Sequence, residues 1–554
     1  MKPKSMFIGI VLLTIFYFNS YAKQDEKIQR WHTDIDFIVK HIESLHPNPW
    51  FRVTRDAFLK KADKLKKEIS DLSEEEIIVR TMQLVAYLSD GHTSLTPYNH
   101  PLIYNWFPIR MDNFDDGIFI TAIDKRYEKF VGAKVLRIGK WTAEECFKRV
   151  GSVTSVDHPI GFHRTVPTYI SNATILKGLD IIDTIQSLPL ELLLSNGKKA
   201  TTTLPSTQWS FDGGWANNRN IVPGGEESVT IFSKRMDDLP LHLRKLLTTR
   251  DKYWFELLPD HKAIYFQFNS VSNDKEPFTE FVSRLWDAYE QHSSNIDKFI
   301  VDLRYNEGGN GTLLKPLLHE FIKHEDINKR GKLFIIMGQN TFSAASNFIG
   351  QMIRHTDVIT VGEPASGPLN WFSDIERLLL PSGRIGIDIS TMYWQEGHSL
   401  DARGYCPPEY TVLVTAEDFF SGRDRALEAI LNDSVMTLSD ILKENGADAF
   451  LAEYKKWSEK FASHYWWFPY TVFDLRIMGV ELFINGKKKD AISFFNFVTT
   501  RHPDVYWIWE ILGNIYVDVG DKDRAVKCLQ KALELNPHDV YTRNSLNSLL
   551  RQDQ

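Results

Sequence analysis

Cysteine is scarce in this chain: three in 554 residues, at positions 146, 406 and 528. Three widely separated thiols make neither a disulfide framework nor a metal-binding spacing, so they read as structural. There is no excess of basic charge. Lysine and arginine number 65 against 72 acidic residues, a net charge of −7, which leaves no electrostatic footprint for nucleic acid. No zinc spacing, phosphate-binding loop or dinucleotide fingerprint occurs, so neither a metal nor a cofactor is expected. Apolar runs of membrane length are also missing. The longest, Met6–Phe18, is short of a comfortable span.

What is present first is a leader. Lys2 and Lys4 precede that apolar run, and Ser20-Tyr21-Ala22 follows as a small-x-small site. This is the pattern of a secretory signal peptide cleaved after Ala22. The mature chain is therefore expected to be exported, periplasmic or extracellular, and free of the membrane. The composition, 43% hydrophobic and 25% charged, is that of a folded protein. The length calls for several domains.

The stretch 296–367 organises the rest. Three apolar runs, Phe299–Leu303, Leu333–Met337 and Val358–Val361, read as buried strands of a parallel sheet. A glycine-rich loop, Asn306–Gly311, follows the first. Thr341-Phe342-Ser343-Ala344-Ala345 follows the second and opens a helix reaching about Arg354. Ser343 thus stands where a strand turns into a helix, with helix N-terminal amides beside it. Serine is also a favoured helix N-cap, so the position has a purely structural reading as well. Upstream, helical spacing covers Trp31–Leu45, Ala57–Ile69 and a segment opened by the capping box Ser73–Glu76. A polar turn, Ser89-Asp90-Gly91-His92-Thr93, closes this helical domain, residues 25–98.

The DLRxNxGG loop, the T-x-SAA turn and the VGEP strand end, in that order and spacing, resemble the tail-specific (C-terminal processing) serine peptidases and their tricorn-core relatives. So does the D-G-H-T turn. The resemblance implies a multidomain α/β protein whose core, residues 253–434, has the crotonase/ClpP-like superhelical fold. It implies Ser343 as nucleophile of an endopeptidase, and His92 as general base by analogy with the tricorn type. The lysine that many family members place downstream falls on Pro368 here, and there is no lysine between Lys332 and Lys443. A serine–lysine dyad of the usual spacing is thereby excluded. Asp401, three residues before Gly404, matches the acidic partner of the histidine, with Glu396 as the alternative. His398 is a reserve base. His355 would lie roughly 18 Å along the helix from Ser343. Amides of Ala344 and of Gly308 or Gly309 would hold the oxyanion.

Residues 105–205 read as a β-rich, PDZ-like domain. Val131–Gly139 carries the resemblance, and Asn196-Gly197 marks a hairpin. PDZ domains take peptides as an added strand. Residues 206–252 read as a linker. Near the C-terminus, Trp509, Leu512, Gly513, Tyr516, Ala525, Ala532 and Pro537 fall in a 34-residue tetratricopeptide frame, with an earlier copy marked by Gly479, Ala491, Phe495 and Pro503. Two repeats, 472–505 and 506–539, are expected within a helical region 435–554, either as a partner-binding groove or as a structural appendage. The sequence therefore points to an exported serine endopeptidase acting on peptides or proteins. Its rival is an inactive relative that binds peptides through the PDZ-like and repeat regions.

Overall fold

The computed structural model describes residues 4–97, 100–209, 228–230, 239–247 and 249–551. They form two compact units. The first holds residues up to 406 together with 412–432, and the second holds 407–411 and 433 onward. The first helix runs Lys4–Leu45. The expected leader falls at residues 1–22, whose side chains lie outside the described residues. Among the described residues no helix is long and apolar enough to cross a membrane.

In the first unit, Trp31, Ile35, Ile38 and Ile42 are all buried, as their helical spacing requires. The Ser73–Glu76 capping box is formed, and its helix runs Glu74–Ala86. The β-rich region builds a sheet in the order 228–230, 117–124, 134–138, 187–193, 199–205, with 109–114 also pairing with 117–124. One of these strands, Ser228–Thr230, lies in the segment read as a linker. The N-terminal helices and this sheet do not have separate cores. Ile78 and Val79 join Ile120, Ile138 and Leu190 in one apolar cluster.

The core sheet contains the three expected strands. Tyr253–Leu258 pairs antiparallel with Ala263–Phe268, and then Lys298–Asp302, Leu333–Met337 and Ile359–Gly362 add in parallel. Every residue of Lys298–Asp302 and Leu333–Met337 is buried. Strands of that kind need cover on both faces. Helices Phe278–His292, Leu314–Lys323 and Ala344–His355 provide part of it through Phe281, Leu317, Phe321, Phe348 and Met352.

One element was not legible in the sequence: a long hairpin of Asn370–Leu379 and Gly386–Gln395. It does not extend the core sheet. Instead Ile387 and Ile389 are buried in the cluster of the N-terminal helices, and Ser94–Thr96 adds to its edge.

The second unit is helical. The expected repeats are the pairs Val472–Ile484 with Lys488–Arg501 and Tyr506–Asp518 with Lys522–Leu535, followed by Val540–Arg551. Such pairs bury their faces only by stacking. The first also leans on Ala447–Lys460, where Phe450 meets Phe494 and Phe497 at ring distances of 5.1 and 5.4 Å. The repeat glycines are contact points between helices. A Cβ on Gly513 would lie 2.8 Å from Leu529 Cγ, and one on Gly479 2.6 Å from the Phe495 ring. Gly513→Leu should therefore destabilise this unit by roughly 1–3 kcal/mol through overpacking. The check is an earlier loss of helical circular dichroism in thermal melts of the full chain, with Gln530→Leu, at an exposed position of the partner helix, as a control.

Candidate active site

The site begins with a backbone constraint. Ser343 has φ 55° and ψ −128°, and its hydroxyl caps no amide of the helix it precedes. A serine serving as a helix N-cap sits in the extended region with its oxygen on the first-turn amides. Ser343 does neither. A non-glycine residue held at positive φ costs on the order of 1–3 kcal/mol. Here the cost turns the hydroxyl away from the helix, and its oxygen lies 3.0 Å from His92 Nε2. The two residues are 251 positions apart in the chain.

His92 is placed from two directions. The turn folds on Asp90, whose Oδ1 accepts the His92 backbone N–H at 3.0 Å. The following strand is stitched to the hairpin, with Ser94 opposite Asp388 and the Ser390 N–H donating to Thr93 Oγ1 at 3.0 Å. The Ser390 hydroxyl donates to Asp90 Oδ2 at 2.7 Å. Gly91 is required by close approach: a Cβ there would sit 2.4 Å from Asp157 Oδ2 and 3.1 Å from the Phe342 ring. That ring, next to the serine, stacks on the imidazole at 4.5 Å. The Arg164 guanidinium also lies over that ring, 3.9 Å from its centre.

Asp90 is buried and its charge is well supported. His46 Nδ1 accepts the Asn48 N–H at 3.1 Å, which leaves Nε2 to carry the proton it gives Asp90 at 3.1 Å. Burial opposes the charge, but the hydrogen bond from His46 and the nearby His92 outweigh it and hold the carboxyl below its usual range. Burial, with the Arg164 charge adding to it, pushes the His92 imidazole down to about 4, opposed by the Asp90 and Asp374 charges and the Phe372 carbonyl. That carbonyl is close enough to the ring to favour its charged form, and Nδ1 is otherwise buried without a partner. Asp157, also buried, is pushed up to about 7 by its burial and by the Asp90 charge.

The glycine loop packs directly on the Ser343 turn. Asn306 is fully buried. Its side chain donates to the Phe268 carbonyl at 2.9 Å and accepts the Gly308 N–H at 2.9 Å, and its carbonyl accepts the Phe342 N–H at 3.0 Å. Gly308, at φ 98°, leaves no room for a side chain, because a Cβ would lie 2.6 Å from Ser343 Cβ. Of the amides singled out in the sequence, that of Gly308 is thus engaged by Asn306. Neither the Ala344 nor the Gly309 N–H has a partner among the described residues.

The carboxylates expected near the histidine are occupied elsewhere. Asp401 forms a two-pronged pair with Arg403 at 2.9 and 2.7 Å, and no hydrogen bond joins it to His92. Arg403 follows Asp401 by two positions, a spacing that lets the fork close on its own turn. Glu396 lies beside the helix Ala344–His355, near Arg354 and Gln351. The carboxylates whose charges act on His92 are Asp90 and Asp374. Asp90 stood in the sequence two residues before the histidine. Asp374 gave no signal, because it belongs to the unforeseen hairpin. No cluster of residues able to hold a metal occurs among the described residues.

A family model for the tetratricopeptide repeat matches residues 506–539. No curated protein matches the chain by sequence. Solved structures do match in fold. A serine-to-alanine variant of CPAF aligns at TM-score 0.51 and 11% identity, over 74% of this chain and 99% of that one. Three-quarters of the chain shares the CPAF fold. Mature CPAF complexed with lactacystin aligns at TM-score 0.50 and 10% identity, over 73% and 99%. A photosystem II D1 C-terminal processing protease aligns more distantly, at TM-score 0.35, 9% identity, over 73% and 96%. The CPAF-like fold and the tetratricopeptide repeat agree with the peptidase-like core and helical C-terminus read from the sequence.

Acid should weaken this site in a defined window. Folded His92 binds its proton only near pH 4, whereas the unfolded residue does so near pH 6.5. Between those values the unfolded chain holds the extra proton, so the contribution of His92 to stability falls as pH drops. Denaturant unfolding of His92→Gln should show a shallower acid-side loss over pH 6.5 to 4 than the parent. An unchanged slope would mean that the imidazole is not desolvated.

Proposed function

We propose that the chain is a serine peptidase that cleaves peptides or proteins by acyl transfer through Ser343, with His92 as general base. The observation that carries the reading is the 3.0 Å contact between Ser343 Oγ and His92 Nε2 on a strained strand-to-helix turn. A serine hydroxyl is a poor nucleophile until a base within hydrogen-bond reach takes its proton.

With the proton on Nδ1, Nε2 accepts the Ser343 O–H. The oxygen attacks the scissile carbonyl as the proton passes to Nε2. The tetrahedral oxyanion forms beside the Ala344 N–H at the helix start, with the Gly309 N–H as second donor. His92 then gives the proton to the departing amine, and water repeats the sequence on the acyl-enzyme. The imidazolium formed on the way sits in a desolvated pocket and needs negative charge nearby. Asp90 supplies it at short range without touching the ring, held ionised by His46 and Ser390. This assigns to Asp90 the electrostatic part of the role that the family resemblance gave to Asp401. The leader at residues 1–22 supports export before the enzyme acts, and the repeat at 506–539 supports a protein contact there.

Labelling by a fluorophosphonate probe tests the reading. The parent should label, and Ser343→Ala and His92→Ala should not. The labelling rate of the parent should fall on the acid side, as His92 protonates towards pH 4. Asp90→Asn should slow labelling by about tenfold or more, since losing a charge that supports the imidazolium by one pKa unit corresponds to about 1.4 kcal/mol. It should also move the acid limb to lower pH, a shift that a merely looser turn would not produce. Absence of label on a folded parent would favour the peptide-binding reading.

A further inference from the structure

Beside the histidine lies an aromatic cluster that the chemistry above does not use. Its centre is Phe372, whose carbonyl faces the His92 ring. The Phe372 ring meets His46 at 4.6 Å, Tyr393 at 4.9 Å and Phe51 at 5.8 Å. Phe372 is nearly buried, but its neighbours are open. Phe51 is 47% exposed and Tyr393 39%, and Met392, next to Tyr393, is 48%. Singly exposed apolar side chains need no explanation, whereas a contiguous group of them marks a surface that binds something.

A charge completes the patch. The Arg52 guanidinium lies 5.6 Å over the Phe51 ring. Its charge also acts on Tyr393, Asp157 and His158, which places it on the same side of the site. Arg52 makes no ion pair among the described residues. In this region Asp401 is taken by Arg403 and Asp90 by His46. Arg52 is half-buried and has no such partner.

Phe372 links the patch to the Ser343–His92 pair, with its ring in the cluster and its carbonyl at the His92 ring, which puts an occupant of the patch beside the place where a peptide would react. Rings that present both a flat apolar surface and an edge suit a large apolar or aromatic side chain. A planar guanidinium with free donors suits a carboxylate. We propose that Phe51, Tyr393 and Arg52 form a specificity subsite that seats one large apolar or aromatic side chain of the substrate peptide and pairs Arg52 with a carboxylate of the same peptide. The proposal rests on the peptidase reading for its location, and its own test does not depend on turnover.

The test is binding to the Ser343→Ala full chain, followed by fluorescence anisotropy. The probe is a fluorescein-labelled peptide with one Phe beside one Glu in an Ala/Ser background. Replacing its Phe by Ala should weaken binding at least about tenfold, the scale of a lost apolar group in a fitted pocket. Adding Phe51→Ala to the protein should remove that difference. For the carboxylate, Glu→Gln within the peptide and amidation of its C-terminus are separate arms. A several-fold loss in the first assigns a side chain, and in the second the chain end. In either case Arg52→Gln should abolish the difference. Equal binding of the Phe and Ala peptides overturns the apolar subsite, and equal binding of all carboxylate variants overturns the role of Arg52. Fluorophosphonate labelling of the parent separates the two ideas. Label without a Phe preference would leave the peptidase standing and the subsite refuted. A Phe preference without label would do the reverse.

Discussion

The arrangement depends on one strand pairing. Ser94–Thr96 lies against Gly386–Asp388, and through it a turn near the N-terminus is locked to a hairpin that follows Ser343 by only a few dozen residues. Ser390 doubles the lock, with its amide on Thr93 and its hydroxyl on Asp90. A base must lie within hydrogen-bond reach of the proton it takes, and a chain separation of 251 residues between Ser343 and His92 cannot provide that unless both ends are fixed to rigid elements. The hairpin serves because Ile387 and Ile389 are buried with the N-terminal helices while Ser390 bonds the turn that carries His92.

The same lock sets the electrostatics. Burying the turn removes water from His92 and Asp90 together, and the two effects oppose each other. Desolvation drives the imidazole towards neutrality, and the adjacent carboxylate draws it back. A neutral imidazole at physiological pH is what a base requires. The charge of Asp90 survives burial because His46 has only one way to donate, its Nδ1 being committed to the Asn48 amide. Asp157 has no comparable support and is pushed up to about 7. The two carboxylates thus diverge for a definable reason: side-chain donors from His46 and Ser390 hold the charge on Asp90, whereas burial and the Asp90 charge outweigh the Gly91 amide and the arginines near Asp157.

The second unit follows another logic. Its helices recur at a fixed period, and its contacts are local. Gly479 and Gly513 serve the same purpose in successive repeats, letting a neighbouring side chain approach the backbone closely. Stability in such arrays is a matter of neighbours, which is why the Phe450 helix completes the stack.

The local patterns were legible in the sequence. Apolar runs bounded by glycine give the parallel strands, and the 34-residue frame gives the repeats, because each depends on residues close together in the chain. Ser343, His92 and the glycine loop could be named as well, since each is carried by a short motif with its own turn chemistry. The sequence could not show the hairpin at 370–395, whose inward residues find their cover in helices some three hundred positions away. The partner of Asp401 was local, an Arg403 two positions on that closes on the same turn, but that the turn stands apart from His92 depends on the tertiary fold. Nor could the motif tell which glycine amide is free, a matter decided by where the Asn306 side chain turns. Sequence alone determined which residues are candidates for chemistry and on which elements they ride. Tertiary structure decided which of them meet, because that depends on long-range pairing and burial that no local spacing encodes.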